Sequence, residues 1–374
     1  MLHIDLARQT LCPLIRATAT ISRPTDNRPI LRNVLLTATE DFLAVSSTNM
    51  AVSLWLKIPV GDDLKVYKTG RAVVPSLDLM RVLETSASDR LEIEDKFNRC
   101  HIKGEGSKFA LVTEDARDFP NITRFAPKAP FVTMPAGTFT SMLDRSVYCA
   151  HDERSFFLMH GLLVKASDGQ LHLVATNGQR LAVCVEYYAS CSTDKIEDEI
   201  VIPSKEGITL KKVCGNANDN IDIQWTARSL NIRGPIGEIC ILAINGSFPD
   251  YKRGIPNNSK KIVFDREKLM RLLSQTQVFK SATTTLAKAV ITTKKLSLVT
   301  LSPDIGEARL DYEIEWEHDP LTLVVNPEFM LAAAKSMKSE HIDFEVEGEM
   351  VQTLMREQRD DTMESFCVFA VARQ

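Results

Sequence analysis

The chain has 374 residues, of which 44% are hydrophobic and 25% charged, with a formal net charge of −4 at neutral pH. That length accommodates two or three domains with sizeable cores, and the composition is that of an ordinary globular protein. No apolar run approaches the roughly 18–20 residues needed to span a bilayer, and Asp5 and Arg8 interrupt the stretch where a secretory signal needs an apolar centre.

From the N-terminus, LHIDLARQTLCPLIRATATI reads as a strand running into a helix, with Asp5 as a helix cap and Pro13 interrupting the helix. VLLTATEDFLAVSS follows as paired strands. GRAVVPSLDLMRVL is a β-branched run, then Pro75-Ser76, then helical spacing at Leu77, Leu79, Met80 and Leu83. GEGSK at 104–108 lacks the full phosphate-loop pattern and reads as a hairpin turn. A Phe-Pro turn, DFPNITRFAP, closes this series at Phe119-Pro120.

The same order then restarts. FVTMPAGTFTSMLDRSVYC is a second strand and helix, GLLVKASDGQLHLVAT a second strand pair, and DEIVIPSKEGITLKKV a second proline-started helix. A second Phe-Pro turn, SFPDYKRGIP, lies 129 residues beyond the first. The third copy runs through KIVFDREKLMRLLSQTQVF, AVITTKKLSLVTL and LTLVVNPEFMLAAAKSM, with Asp265 and Asn326 placed as caps. Pro75, Pro203 and Pro327 are separated by 128 and 124 residues, so the chain is a triplication. The expected fold class is α+β, with three repeated domains at 1–128, 129–257 and 258–374, each of two helices packed on antiparallel sheets.

The six helical windows are net basic, so the strands and loops must be net acidic. A field segregated in this way draws a polyanion to one surface. Catalytic signatures are missing. The eight cysteines show no CxxC pair and read as buried thiols of a reducing compartment. Cys149, His151, Asp152 and Glu153 are tempting as ligands, but consecutive residues cannot all face one ion. A repetitive chain without chemistry reads as a scaffold, not an enzyme, and needs no cofactor.

ATNGQRLAVC (175–184) and NGSFPDYKRGIP (245–256) resemble two signatures of the bacterial DNA polymerase III beta subunit family, the sliding clamps. Arg23-Pro24-Thr25, Pro29-Ile30-Leu31, Ala150-His151 and Asn326 extend the resemblance over nearly the whole chain. It implies the DNA clamp (processivity) fold, a head-to-tail homodimeric ring with helices lining the hole, and a non-catalytic role in DNA replication. In that role the ring encircles double-stranded DNA without reading its sequence. It tethers the DNA polymerase III alpha subunit, the clamp-loader complex, repair polymerases and ligase, in the cytoplasm and at the nucleoid, with no membrane partner. The family is classed with DNA-directed DNA polymerase (a nucleotidyltransferase) only as a holoenzyme subunit.

By the same resemblance, a peptide-binding pocket is expected at Met159, Thr176, Gly178, Arg180, Leu181, Pro249, Arg253, Asn326, Phe329, Met350, Val368, Phe369 and Val371. DNA-facing residues are expected at Arg23, Arg145, Arg154, Lys205, Lys211, Lys212, Arg271, Lys335 and Lys338. The subunit seam is expected at Phe109 and Leu111 against Val278 and Phe279. The chain departs from the family pattern at Gln179, where histidine is usual, at Gly254, and at its ending Phe369-Ala370-Val371-Ala372-Arg373-Gln374. An alternative reading is therefore a paralogous clamp with altered pocket specificity.

Overall fold

The computed structural model describes residues 1–22, 27–150, 161–280, 285–303, 305–358 and 364–370. In the first repeat, β1 (His3–Ala7) runs into α1 (Arg8–Ala19), followed by β2 (Asn33–Ala38), β3 (Phe42–Thr48), β4 (Val52–Pro59) and β5 (Leu64–Lys68). Its second half is β6 (Gly70–Pro75), α2 (Ser76–Thr85), β7 (Arg90–Lys96), β8 (Arg99–Gly104) and β9 (Ser107–Val112).

The second repeat opens with β10 (Val132–Pro135), α3 (Ala136–Ser146), β11 (Gly161–Ser167), β12 (Gln170–Thr176), β13 (Arg180–Tyr187) and the short β14 (Ser190–Cys191). It continues with β15 (Asp198–Pro203), α4 (Ser204–Leu210), β16 (Asn220–Trp225), β17 (Ser229–Gly234) and β18 (Gly237–Leu242). The third opens with β19 (Lys260–Asp265), α5 (Arg266–Thr276), β20 (Ala287–Thr292), β21 (Lys295–Ser302) and β22 (Gly306–Glu313). It ends with β23 (Leu321–Val325), α6 (Pro327–Ser336), β24 (His341–Val346), β25 (Thr353–Glu357) and β26 (Glu364–Phe369). All six expected strand–helix units are present.

The chain gathers into two compact bodies. The first comprises Met1–Gly137, Ser190–Thr193 and Thr209–Ala243. It contains a five-stranded sheet, β5-β1-β7-β8-β9, and a nine-stranded sheet, β14-β10-β16-β17-β18-β4-β3-β2-β6. Alternation along β1 sends Ile4 and Leu6 inward, where they meet Leu11 and Ile15 of α1 and Leu79 and Leu83 of α2. Each such side chain contributes about 1.5–3 kcal/mol by leaving water. In the nine-stranded sheet, β18 of the second repeat pairs antiparallel with β4 of the first, placing Glu238 opposite Trp55.

The second body comprises Thr138–Ala189, Asp194–Ile208 and Ile244–Gln374. Its eight-stranded sheet runs β15-β11-β12-β13-β26-β25-β24-β19, and its four-stranded sheet β22-β21-β20-β23. Here β13 of the second repeat pairs with β26 of the third, placing Leu181 opposite Val368 and Val183 opposite Phe366. Phe264 is fully buried against the rings of Tyr312 and Phe344, at 5.1 and 6.0 Å.

Helix starts show where sequence reading slips by a few residues. Asp265 immediately precedes α5 and accepts from the Lys268 N–H at 2.8 Å, as expected. Asp5 lies inside β1, pointing away from the core, and pairs with Arg90 instead of capping α1. Ser76 is buried and donates to the Arg32 carbonyl at 2.9 Å, so α2 starts without a side-chain cap. Pro13 does not interrupt α1, which runs through it from Arg8 to Ala19. The 104–108 turn is the expected hairpin, with Gly104 opposite Ser107 and Gly106 at φ +68°.

Candidate functional site

A cavity of about 370 Å³ lies in the second body. Its floor is the end of β23 and the start of α6, with Asn326, Phe329 and Met330. Gln179 contributes from the β12–β13 turn, Phe369 and Ala370 from the end of β26, and Glu349 and Val351 from the β24–β25 loop. The turn and β26 are tied by the Ala370 N–H, which donates to the Gln179 carbonyl at 2.8 Å. Asn326 caps α6, its amide oxygen accepting from the Glu328 and Phe329 N–H groups at 3.0 and 3.3 Å.

Of the residues expected to form a pocket, Asn326, Phe329 and Phe369 line this cavity. Arg180 stands behind it, its guanidinium 4.4 Å from the Phe329 ring centroid and its Nη2 donating to the Tyr148 carbonyl at 2.6 Å. Thr176 and Gly178 shape the turn: the Thr176 hydroxyl donates to the Arg180 carbonyl at 2.8 Å and accepts from the Gly178 N–H at 3.1 Å. Gly178 has φ +83°, a conformation that costs a residue with a Cβ.

Leu181 and Val368 do not face solvent. They are a cross-strand pair in a buried cluster against which Phe248 and Tyr251 pack, and neither lines this cavity. Pro249 and Arg253 are exposed and line no part of the cavity. Met350 is also exposed, while its neighbours Glu349 and Val351 line the cavity. Met159 and Val371 lie outside the described residues.

The lining residues missed from sequence include Gln179, Thr285, Leu286, Leu323, Glu349 and Thr353. Leu323 could have been found, since the strand feeding Asn326 must run past whatever Asn326 borders. Glu349 carried no such signal, because a loop is placed by the strands it joins.

The expected DNA-facing residues separate into three groups. Lys205, Lys335 and Lys338 are exposed, as is Arg271, which reaches Glu267 at 3.6 Å. Lys211 and Lys212 are half-buried, and the Lys212 ammonium is tied to the C-terminal end of α1, donating to the Ala17 carbonyl at 2.9 Å and bonding the Thr20 hydroxyl. Cations are favoured at that end of a helix dipole, so Lys212 is a strut.

Arg145 is a correction. It lies on the same face of α3 as the buried Met142, hydrogen-bonds Glu186 at 3.3 Å and forms an ion pair with Glu357 at 3.2 Å, all three being almost completely buried. Buried charges persist only when paired in this way. Arg23 and Arg154 lie outside the described residues, as do His151, Asp152 and Glu153. Cys149, the remaining member of that sequence cluster, has its sulfur 3.7 Å from the Cys367 sulfur, and burial pushes its thiol pKa up. All eight cysteines are free. No described helix is long and apolar enough to cross a membrane.

Phe109 and Leu111 sit on β9, the last strand of its sheet, half-buried against the first repeat's core. Val278 and Phe279 follow α5 and pack beside β22, the last strand of the four-stranded sheet; Val278 is 67% exposed. Among the described residues the outer edges of β9 and β22 carry no ladder partner.

Comparison with known proteins places these features in a family. The chain matches the DNA polymerase III beta subunit in three parts: the N-terminal domain over residues 2–123, the central domain over 133–250 and the C-terminal domain over 252–369. It is 24% identical over 342 residues to the beta sliding clamp of Proteus mirabilis, covering 89% of this chain and 90% of that one. It is 23% identical over 364 residues to the beta sliding clamp of Pseudomonas aeruginosa, covering 96% and 97%. The crystal structure of a sliding clamp from Pseudomonas aeruginosa bound to griselimycin superposes with a TM-score of 0.91 over all of both chains, at 21% identity. The three-domain fold is therefore that of a clamp, and the chain belongs to the DNA polymerase III beta subunit family, the bacterial beta sliding clamps.

Proposed function

We propose that the chain works as a DNA sliding clamp, a non-catalytic subunit that closes head-to-tail with a second copy around duplex DNA and tethers polymerase to it. The observation that carries the reading is an unfinished pattern in the sheets. The last strand of repeat two, β18, pairs with β4 of repeat one, and the last strand of repeat three, β26, pairs with β13 of repeat two. By the same rule β9, the last strand of repeat one, should pair with β22 of repeat three, yet among the described residues both edges are open. Two copies meeting head-to-tail complete the pattern and cover edges that would otherwise be aggregation-prone.

The repeat also supplies a register for that seam. Ile241 faces Val52 and Phe369 faces Arg180 in the two closed junctions. The β8–β9 hairpin matches the β17–β18 hairpin, which puts Leu111 where Ile241 stands in the closed junction, against the start of β22 of a second copy. Domain boundaries are proposed at 128/129 and 257/258, in the two Phe-Pro linkers.

Exposed lysines on repeat-related helices, among them Lys205 and Lys335, suit loose phosphate contacts that hold DNA without reading bases. The cavity with Asn326, Phe329 and Phe369 suits short apolar peptide segments of a polymerase, a clamp loader or a ligase. The protein works on bacterial DNA in the cytoplasm, and association with the nucleoid follows from the same reading.

The test is topological. Loaded onto nicked circular DNA, the protein should be retained through a high-salt wash and lost once the circle is linearised. Equal retention on both forms overturns the reading. Phe109→Asp should remove circle-specific retention and give monomers by light scattering, because it places a charge against an apolar seam.

A further inference from the structure

Among the described residues that line the cavity beside Asn326, Gln179, Thr285, Asn326 and Thr353 are neutral and polar, and Glu349 is the one that carries a formal charge. Glu349 is exposed at the loop between β24 and β25, next to a turn closed by the Val351 N–H donating to the Gly348 carbonyl at 3.3 Å. Nearby carboxylates are already engaged: Glu347 accepts from the Ser259 N–H and hydroxyl at 2.7 Å, and Glu328 pairs with Lys280 at 2.8 Å. Glu349 forms no ion pair among the described residues.

We propose that Glu349 is a specificity-determining residue that selects peptides carrying a cationic side chain beside their apolar anchor. The inference rests on the reading of this cavity as a peptide pocket and adds the chemistry of its occupant. An apolar side chain entering against Phe329, Phe369 and Val351 excludes water from the rim, and a carboxylate there is then closer to its counter-charge and less screened than on an open surface. An acidic flank in the same place meets repulsion, with no cation among the described lining residues to relieve it. The polar groups at the opposite wall do not offset this. The Asn326 amide oxygen is committed to the α6 cap, and the Gln179 carbonyl to Ala370. What remains there is neutral.

Two probes test the proposal by isothermal titration calorimetry on the full-length protein: acetyl-Lys-Lys-Ala-Leu-Phe-amide and acetyl-Glu-Glu-Ala-Leu-Phe-amide. The lysine peptide should bind about three- to tenfold more tightly at low salt, with the ratio shrinking as salt is raised. Glu349→Lys should invert the order and Glu349→Gln should abolish it. Glu349 is exposed in a loop, so both variants keep the fold, which circular dichroism verifies. Phe329→Ala separates the two levels of the argument. If it weakens both peptides but they bind equally in native protein and in Glu349→Lys, the charge inference is wrong and the pocket stands. If both peptides bind unchanged to Phe329→Ala, the pocket is elsewhere and the proposal falls with it.

Discussion

In the first Phe-Pro linker, Phe119 is buried against Leu35 and Val73, and Arg124 lies 3.5 Å over the Trp55 ring while holding Glu238 with two bonds of 2.6 and 3.0 Å. The Phe125 N–H adds a third bond to the same carboxylate at 3.0 Å. In the second linker Phe248 is only half-buried, Tyr251 sits edge-on to it at 6.5 Å, and the Arg253 side chain is 87% exposed, reaching no further than Asp250 at 2.9 Å. The motif is the same, but the surface it meets differs. The first linker faces the cross-strand pair Trp55–Glu238, and the equivalent pair in the second body is Val183–Phe366. On the first, the linker guanidinium finds a ring face and a carboxylate; on the second, Val183 offers neither and the Phe366 ring already carries Arg356 at 4.9 Å. Arg124 is therefore a structural tie, whereas Arg253 makes only an exposed pair with Asp250.

The second body has its own tie, placed deeper. Arg145 of repeat two reaches Glu357 of repeat three, and that carboxylate also accepts from the Lys338 and Ser339 N–H groups at 2.5 and 2.9 Å. The largest expected effect follows from it. Arg145→Ala should destabilise the second body by about 3–5 kcal/mol, since it removes a buried guanidinium that pairs with two buried carboxylates. Urea denaturation checks this, and a loss below about 1 kcal/mol would place the tie elsewhere.

Breaking the first tie should cost less. Glu238→Gln should lower stability by about 2 kcal/mol through the lost charged hydrogen bonds and the loosened stack on Trp55. Burial alone would raise the Glu238 pKa, but Arg124 and the Phe125 N–H outweigh it and hold the carboxyl below its ordinary value of 4.5. The folded pKa is the lower one, so the contribution is present above the ordinary value and lost as pH falls through the depressed one. The gap between native protein and Glu238→Gln should accordingly be full at neutral pH and close in acid. A gap that widens in acid contradicts the assignment. The smallest stability effect belongs to Arg253→Ala, expected within about 0.5 kcal/mol of native because its ion pair is exposed. If Arg253 serves a partner, the same variant should weaken an apolar peptide severalfold; loss of stability without loss of binding would reverse the comparison with Arg124.

Much of the fold was legible because it is local and repeated. Asp265 and Asn326 announce their helices by standing directly before them, and the 104–108 turn is set by its own glycines. Asp5 misled because a cap depends on where the strand ends, and β1 runs two residues further. Arg145 misled for a related reason. Helical periodicity gives a face but not its surroundings, and the carboxylates that draw Arg145 inward come from β13 and from β25, over 200 residues away. In the candidate pocket, Asn326, Phe329 and Phe369 were expected from resemblance, whereas Glu349 and Thr285 sit where chain connectivity brings them.

The triplication, the six helices, the segregation of basic helices from acidic strands and the clamp family were all written in the order of residues. They rest on short-range preferences and on periods that can be counted along the chain. Which basic residue faces solvent, which Phe-Pro turn is locked, and which strand edges stay open were decided only when distant strands paired. Those outcomes depend on the partner that packing supplies: a carboxylate opposite Trp55, a phenylalanine opposite Val183, and, among the described residues, no strand beside the outer edges of β9 and β22.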